Sequence, residues 1–374
     1  MGSGNYCLAN DITLDSSTLG QNWEGPEGYR GHFNGNGKTI KLELANTKGD
    51  IALFNSLADT AIIENFNIEV TTKGSNGTDH LAMTGTAHFG GVVADISGIG
   101  NYILRNISIT GNLNYKLSGG QLLAGGLIGQ VGGIMIIKIE NCSSDININV
   151  VEDDLNSGDY DGVRGFGGLI GKITGSSGNE ITINHCRTGG EIVADLSSNT
   201  TDPKALVAGG IVGDIIGTGN GDNNAKSNVI IKNCYSTMDI NLKTAMNGLV
   251  AGGGLVGRYG TSYNSARISN SVALNKTINA QSSHVSSNTS AHRVVGVHSG
   301  NGQVANNYAL STMMVNESAV SDTAANSLDG LSKTANDLKA EATWVSGLSF
   351  SKDNWDFSNI ARDGYPTLKL KSSN

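Results

Sequence analysis

The chain has 374 residues, of which 52 are glycine, only 3 are proline and 16% are charged. So little charge excludes a helical bundle, scarce proline excludes collagen, and the plentiful branched aliphatic residues exclude general disorder. The net charge of −8 argues against nucleic acid as a partner. What remains is a strand-rich protein in which glycine and asparagine mark the turns.

The chain begins at Met1 without a charged segment or an apolar segment of signal-peptide length, and this absence carries no information on secretion. Residues 1–49 are expected to form an entry coil that caps one end of the fold. In this cap, Trp23, Tyr29 and Phe33 would pack over exposed strand edges.

From residue 50 to 327 one unit recurs, in which two glycines, two apolar residues and a third glycine follow each other, as in Gly125–Gly129. Aligned on the last residue, seven full or degenerate copies lie 35 to 44 residues apart. This regular frame is typical of a solenoid, whose windings bury their inner faces only against neighbouring windings. We expect the glycines to adopt positive φ and to let windings approach closely. The structural glycines are Gly126, Gly129, Gly168, Gly171, Gly210, Gly213, Gly254 and Gly257.

A second element follows each copy by ten to twenty residues, and consists of an apolar residue, one spacer and then asparagine. We expect this residue to turn a sharp corner in the left-handed conformation and to hydrogen-bond its equivalents in adjacent windings, as a ladder. One copy carries histidine, which we interpret as a hydrogen-bonded substitute rather than a catalytic residue. The predicted ladder is Asn65, Asn106, Asn141, His185, Asn233, Asn270 and Asn306.

Residues after the corner alternate with period two, as in a half-buried strand. Ile146, Ile148 and Val150 share one face, and Asn147 and Asn149 share the other. Each repeat is predicted to hold about three short strands: the glycine motif and the segments before and after the corner. The sequence therefore predicts an all-β, right-handed parallel β-helix of about seven coils. A β-sandwich is the alternative, but hairpin signals are sparse.

The uncharged segment from Leu117 to Ile137 is long enough to span a bilayer. It contains seven glycines and recurs downstream in charged versions, so we predict no membrane span.

Three of the four cysteines directly follow the corner in successive repeats: Cys142, Cys186 and Cys234. Stacked strands lie about 4.8 Å apart, which does not forbid a disulfide. Strand neighbours in register seldom have the required torsions, however. We therefore expect buried free thiols that pack as small apolar side chains, with Cys7 standing alone.

Residues 328–374 are expected to cap the other end of the solenoid. A short helix is predicted from Thr334 to Glu341. The aromatic side chains expected to cover the last winding are Trp344, Phe350, Trp355 and Phe357.

The Gly-Gly-Leu-Ile-Gly units resemble the GLUG repeat of bacterial surface proteins, including adhesin-like proteins and non-catalytic regions of IgA-cleaving proteases. The entry segments Leu8–Leu14 and Gly31–Ile40 and the closing segment from Trp355 to Leu368 are similar to the flanks of such repeats. The resemblance covers nearly the whole chain and implies a secreted or cell-surface bacterial protein with a role in cell adhesion. Departures are local, with Arg293 at a glycine position and His185 at a corner.

The sequence contains no His-Glu-x-x-His metal motif and no Gly-x-Ser-x-Gly motif with a triad, so we predict no catalytic, cofactor-binding or metal-binding residues. The acidic loop after Glu152 is interpreted as a solvated turn. A calcium site there is the less favoured interpretation, because the EF-hand spacing is missing. Its candidate ligands are Asp153, Asp154, Asp159 and Asp161.

Two further groups of side chains were weighed as sites. Outward tyrosines could form a sugar-stacking strip, although scattered surface tyrosines are commoner. The last repeat contains three histidines whose spacing matches no metal motif. The tyrosines are Tyr235, Tyr259, Tyr263 and Tyr308, and the histidines are His284, His292 and His298.

Two classes of function remain. The favoured one is a non-enzymatic, monomeric extracellular module that binds a glycan or protein on a host or neighbouring cell, through its flat faces and loops. The alternative is a carbohydrate-active enzyme, a polysaccharide lyase or hydrolase, with an unrecognised site. Acids, a base and aromatic residues converging on one groove would favour the enzyme, and dispersed ones would favour adhesion. The contact loops are 71–88, 152–165, 197–207 and 217–227.

Overall fold

The fold is all-β and is built mainly from parallel strands. The computed structural model describes residues 3–45, 49–74, 78–83, 85–118, 120–152, 162–176, 178–197, 205–217, 227–261, 264–300, 302–321 and 324–369. Within these ranges no helix has the length and apolar character needed to cross a membrane. The described part of the uncharged segment from Leu117 to Ile137 forms strands and turns.

The elements are numbered in chain order. The first are β1 (Tyr6–Cys7), β2 (Ile12–Leu14), α1 (Ser16–Leu19), β3 (Tyr29–Leu44), β4 (Gly49–Ile51), β5 (Phe54–Thr72), β6 (Leu81–Met83), β7 (Ala87–Gly90), β8 (Val93–Ile96) and β9 (Gly100–Leu117). The central ones are β10 (Leu122–Gly125), β11 (Ile128–Val131), β12 (Met135–Glu140), β13 (Ser143–Glu152), β14 (Val163–Gly167), β15 (Ile170–Gly175), β16 (Glu180–Asn184), β17 (Arg187–Leu196), β18 (Ala205–Gly209), β19 (Val212–Gly217), β20 (Ser227–Lys232), β21 (Tyr235–Ser236), β22 (Asp239–Thr244) and β23 (Leu249–Gly253). The last are β24 (Val256–Thr261), β25 (Asn264–Ser269), β26 (Val272–Ala273), β27 (Thr277–Ser282), β28 (Asn288–His292), β29 (Val295–Gly300), β30 (Gln303–Ala305), β31 (Tyr308–Leu310), β32 (Met314–Val315), β33 (Ser318–Ala319), β34 (Leu331–Lys333), α2 (Ala335–Leu338), α3 (Glu341–Leu348), β35 (Trp355–Asp356), α4 (Ile360–Asp363) and β36 (Thr367–Leu368).

The winding that runs from β10 to β13 is described throughout and illustrates the repeat. It contains four strands, β10, β11, β12 and β13. The glycine motif lies at the bend between β10 and β11, and Asn141 lies at the corner between β12 and β13. In this winding the motif separates two strands instead of forming one, so four strands replace the predicted three; the preceding winding has three, β7, β8 and β9.

Each strand of a winding pairs in parallel with its equivalents in the windings before and after. Ile128 of β11 lies opposite Val93 of β8 and Ile170 of β15. In the same way, Ser143 of β13 lies opposite Arg187 of β17. The strands that lead into the glycine motifs form a seven-stranded sheet in the order β28-β23-β18-β14-β10-β7-β4. Equivalent residues therefore lie next to each other along a solenoid-like stack.

The inward-facing side chains form one long apolar core. Along β13, Ile146, Ile148 and Val150 are buried, whereas Asn147 and Asn149 between them are half-buried. The period-two pattern of the sequence thus identifies the inner face. Burial of apolar surface contributes about 25 cal/mol per Å², so this column of aliphatic side chains is the main stabilising feature of the stack.

The motif glycines are required by the close approach of backbones. A Cβ on Gly126 would lie 2.4 Å from the carbonyl oxygen of Gly168 in the next winding, and one on Gly129 would lie 2.7 Å from the backbone nitrogen of Phe89. Both distances are shorter than real Cβ contacts. All the glycines of the four full copies are described, and none of them has a positive φ. The predicted close approach is therefore confirmed, and the predicted positive φ is wrong.

Arg293 occupies a glycine position because no complete winding follows it. In the preceding copy, a Cβ on Gly254 would lie 2.1 Å from the Arg293 carbonyl oxygen. Arg293 itself contacts residues 329–332. Its guanidinium donates to Ser332 Oγ at 2.8 Å and to the Gly330 carbonyl oxygen at 3.0 Å. Its backbone N–H donates to Asp329 at 2.9 Å. The buried guanidinium fills space that the backbone of another winding would otherwise occupy.

At the N-terminal end, β1 and β2 both pair with β3, which gives an incomplete first winding. Tyr29 is buried there, and Trp23 and Phe33 pack partly buried against the core. The indole N–H of Trp23 donates to the Ala52 carbonyl oxygen at 3.1 Å. These contacts fix the entry segment to the first complete winding.

Residues 334–369, which we call the strap, lie along the side of the stack. Aromatic side chains of the strap, including Trp344, form one buried cluster with Tyr235, Val272 and Tyr308. These three residues are register partners in successive windings, so the strap runs along the stacking direction. The aromatic residues expected to cover the last winding therefore cover a flank of several windings, of which the winding of Tyr308 is the last in the cluster.

Candidate functional site

The corner residues form one column along the stack. Register partners immediately before and after each corner belong to consecutive windings, as shown by Glu64 with Arg105 and by Phe66 with Ile107. All seven predicted ladder residues have a left-handed backbone, with φ between 51° and 62°. Asparagine tolerates this conformation better than most residues because its short amide can hydrogen-bond locally.

Side-chain bonds between successive corners occur near both ends of the column. Nδ2 of Asn106 donates to Oδ1 of Asn65 at 2.8 Å. Nδ2 of Asn306 donates to Oδ1 of Asn270 at 2.7 Å. Nδ2 of Asn233, by contrast, donates to the strap, to the carbonyl oxygens of Leu348 at 2.9 Å and Ser349 at 3.1 Å.

The outward position just past the corner changes character along the stack. In the earlier windings it is polar, and in the later windings, where the strap lies, it is mainly apolar. The register partners in order are Asn67, Ser108, Ser143, Arg187, Tyr235, Val272 and Tyr308. This change in one repeat position is the sequence signal that could have revealed the strap.

The less favoured strip of sugar-stacking tyrosines is not formed by the described residues. Tyr235 and Tyr308 are buried beneath the strap, and the Tyr235 hydroxyl donates to the Pro366 carbonyl oxygen at 2.8 Å. Tyr259 is buried and stacks on His298, and Tyr263 lies outside the described residues. Tertiary contacts thus remove these rings from the surface.

A groove of about 430 Å³, which we call the flank groove, lies between the strap and the windings. It has an aliphatic floor and walls that carry charged and hydroxyl groups. Its principal lining residues are Thr237, Asp239, Leu274, Lys276 and Leu310 from the windings, and Leu338, Lys339, Asp363 and Tyr365 from the strap. The chain positions of these residues gave no indication that they meet.

Both carboxylates of the flank groove already accept hydrogen bonds. Oδ1 of Asp239 accepts the backbone N–H groups of Lys276 at 2.7 Å and Thr277 at 3.0 Å. Asp363 forms a two-bond pair with the Arg362 guanidinium, at 2.7 and 3.0 Å. The hydrogen bond from Arg362 holds the pKa of Asp363 below its usual value. Asp363 is therefore ionised at neutral pH.

Unlike the carboxylates, the two lysines of the groove have no bonded partner among the described residues, and its one aromatic ring is held by packing. Lys276 and Lys339 are exposed, and in the described part of the chain neither ammonium group has an ion-pair or hydrogen-bond partner. The half-buried Tyr365 ring lies 5.5 Å from the Tyr235 ring, which holds it in place. The groove can thus offer two ammonium groups and a fixed aromatic face to a ligand.

A second polar cluster lies on β4, β7, β8 and β11. His88 Nδ1 is 2.7 Å from Asp50 Oδ1, and Gln130 Nε2 donates to Asp95 Oδ1 at 3.4 Å. Burial raises the pKa of Asp95, and a hydrogen bond from Ser97 offsets part of the effect. The raised pKa of Asp95 makes this cluster a candidate for acid–base chemistry.

Two histidines of the last repeat, His292 and His298, line one cavity of about 620 Å³, which His284 does not line. His292 Nδ1 lies 2.9 Å from Asp329 Oδ2, His298 packs on Tyr259 with ring centroids 5.1 Å apart, and His284 is exposed. Across the described ranges, no group of three or more His, Cys, Asp or Glu side chains is placed to hold a metal ion. The four aspartates weighed as calcium ligands, from Asp153 to Asp161, lie outside the described residues.

The three stacked cysteines are buried and free, and Cys7 is exposed and free. The backbone N–H of Cys186 donates to Cys234 Sγ at 3.4 Å, and Cys142 Sγ donates to the Glu140 carbonyl oxygen at 3.4 Å. Burial raises the pKa of the Cys142 and Cys186 thiols well above its usual value. The buried Cys142 and Cys186 thiols therefore act as packing groups.

Comparison with known proteins informs the fold. No family model matches the chain, and no curated protein matches it. The chain is similar to the crystal structure of a putative immunoglobulin A1 protease from Bacteroides ovatus, with a TM-score of 0.52 and 17% sequence identity. The alignment covers 99% of this chain and 86% of that one. At this identity the likeness concerns the fold alone.

Proposed function

We propose that the chain is a right-handed parallel β-helix of GLUG repeats that serves as a non-enzymatic, monomeric binding module at the surface of a bacterial cell or secreted from it. In-register parallel pairing through successive windings supports a closed helix, and the crossover rule for parallel strands supports the right hand. In this proposal residues 1–49 and 328–374 flank the repeats, and the ligand is a cell-surface glycan or protein.

The flank groove is the observation that carries the proposed binding role. Its volume of about 430 Å³ suits one or two sugar rings or a short peptide. Hydrolysis of a glycosidic bond by paired carboxyl groups requires one of them to be protonated at the working pH. Asp363 is held ionised by Arg362, and Asp239 accepts two backbone N–H groups. The groove therefore supports binding more than cleavage.

Binding and cleavage can be separated with one preparation of the protein. We expect binding to a subset of glycans on an array, or to intact cells, with no release of reducing ends from the same polysaccharides. Release of reducing ends or unsaturated sugars at a steady rate would contradict the proposal. Failure to bind any glycan, protein or cell surface would contradict it equally.

A carbohydrate-active enzyme is the second candidate, and the cluster of Asp50, His88 and Asp95 is the observation that favours it. A carboxyl group whose pKa is raised by burial, near a second carboxylate and a histidine, has the properties of a general acid. If this candidate is right, Asp95→Asn should abolish a measurable release of sugars while the melting temperature stays unchanged. Equal release by Asp95→Asn and the wild type would exclude this cluster as the active site.

A further inference from the structure

We infer that the flank groove selects sugars that carry an anionic substituent, such as a carboxylate or a sulfate ester. This inference rests on the proposed function, because it assumes that the groove binds glycans. It adds the chemical class of the ligand and the two residues that recognise it. These are Lys276, which lies directly before β27, and Lys339 of the strap.

In the groove the carboxylates have hydrogen-bond partners, and within the described part of the chain the ammonium groups do not. Asp239 and Asp363 face the groove but are tied to backbone N–H groups and to Arg362, respectively. The ammonium groups of Lys276 and Lys339 have no such partners among the described residues. The lining of the groove thus holds two ammonium groups and two carboxylates, and of these described groups only the carboxylates already have partners, in a chain whose net charge is −8. The two ammonium groups without partners can therefore bind an anionic substituent there, although the whole chain repels anions.

The apolar part of the groove fits the body of a sugar ring. Tyr365 presents an aromatic face beside the aliphatic side chains of Leu274 and Leu310. Contact with Tyr235 holds the Tyr365 ring in place before any ligand arrives, which lowers the entropy cost of binding. Sugar C–H groups can pack on this surface while ring hydroxyls donate to the carboxylate of Asp239. The lysines then select among sugars by the charge of their substituents.

Tryptophan fluorescence provides a direct measure of binding. Trp344 and Trp355 contact Tyr235, with ring centroids 5.7 and 5.4 Å apart, and Tyr235 contacts Tyr365. The probes are a sialylated oligosaccharide, an oligogalacturonate and a sulfated disaccharide, each paired with its neutral counterpart. We expect at least one acidic probe to bind ten-fold or more tightly than its neutral partner, with affinity falling as salt rises.

The double variant Lys276→Ala, Lys339→Ala tests the assignment of the two cations. It should lose ten-fold or more of the affinity for the acidic probe and keep the melting temperature of the wild type. Lys138→Ala, at an exposed lysine of β12 outside the groove, is the matched control and should bind like the wild type.

The outcomes separate the inference from the proposed function. If acidic and neutral sugars bind equally, if no acidic probe binds, or if the double variant binds like the wild type, the inference is wrong. Binding of neutral glycans or cells would then still support the proposed function. If the protein binds no glycan, protein or cell surface at all, the inference and the proposed function fail together.

Discussion

The earlier and later windings carry the same corner in different surroundings. At Asn65 and Asn106 the corner amides bond to each other, and the adjacent outward position is the polar Asn67 or its equivalent. At Asn233 the amide bonds to the strap, and the outward position is Tyr235. The comparison teaches that the corner is set by the repeat, whereas the residue beside it depends on whether another segment covers it.

The largest effect should come from removing the centre of the strap cluster. Trp344 is fully buried, and its indole N–H donates to the Leu338 carbonyl oxygen at 2.8 Å. Trp344→Ala should lower the free energy of unfolding by about 3–5 kcal/mol. Urea denaturation would measure this loss, and hydrogen exchange should accelerate in the strap and not in β9 or β13. Uniform acceleration through all windings would contradict an independent strap.

Exchanging the outward residues should sharpen the contrast between the two regions. Tyr235→Ser, which gives a covered winding a small polar residue, should cost about 3 kcal/mol through lost ring contacts. Asn67→Tyr, in a winding without the strap, should change stability by less than about 0.5 kcal/mol. Equal costs in denaturant titrations would show that the position is sensitive for reasons other than the strap.

The earlier windings should depend on pH through a buried carboxylate. Burial alone raises the pKa of Glu64, but hydrogen bonds from Arg105 and His32 outweigh it and the pKa lies below its ordinary 4.5. The stability it contributes is present above that value and is lost as pH falls through the lower folded pKa. Glu64→Gln should therefore cost about 2 kcal/mol at pH 7, and this cost should shrink as pH falls below 4.5.

Thermal unfolding of Glu64→Gln and the wild type across this pH range would measure the difference. Glu69→Gln is the matched control. Glu69 is exposed, and its carboxylate lies 3.6 Å from the Lys41 ammonium group in a surface ion pair. This substitution should change stability little at any pH in this range. A constant deficit of Glu64→Gln at every pH would indicate lost packing instead of lost charge.

The smallest effect concerns the corner itself. Glycine also adopts the left-handed conformation, so Asn→Gly removes the amide and keeps the backbone. Asn233→Gly should cost about 1–2 kcal/mol, because two strap carbonyls lose their donor. Asn141→Gly should cost less than about 0.5 kcal/mol, since its Oδ1 has no hydrogen-bond partner. Equal costs measured by urea denaturation would mean that the strap adds nothing to the corner.

Some parts of the candidate site could be predicted and others could not. The left-handed corners and the buried thiols follow from residues that recur at fixed spacing, such as Asn141 with Cys142. The four strands of the winding from β10 to β13 were missed because Gly125–Gly129 can be read as a strand or as a bend. The flank groove was missed because Lys276 and Lys339 belong to segments with no common pattern.

The sequence by itself determined which residues face inward, where each winding turns and which positions stack. It could do so because windings in register bury like residues against like, and this leaves a period in the chain. Only the tertiary structure decided what covers the outer face. Asn233 and Leu348 are 115 residues apart, and the strap does not repeat, so only apolar packing and hydrogen bonds in the folded chain bring them together.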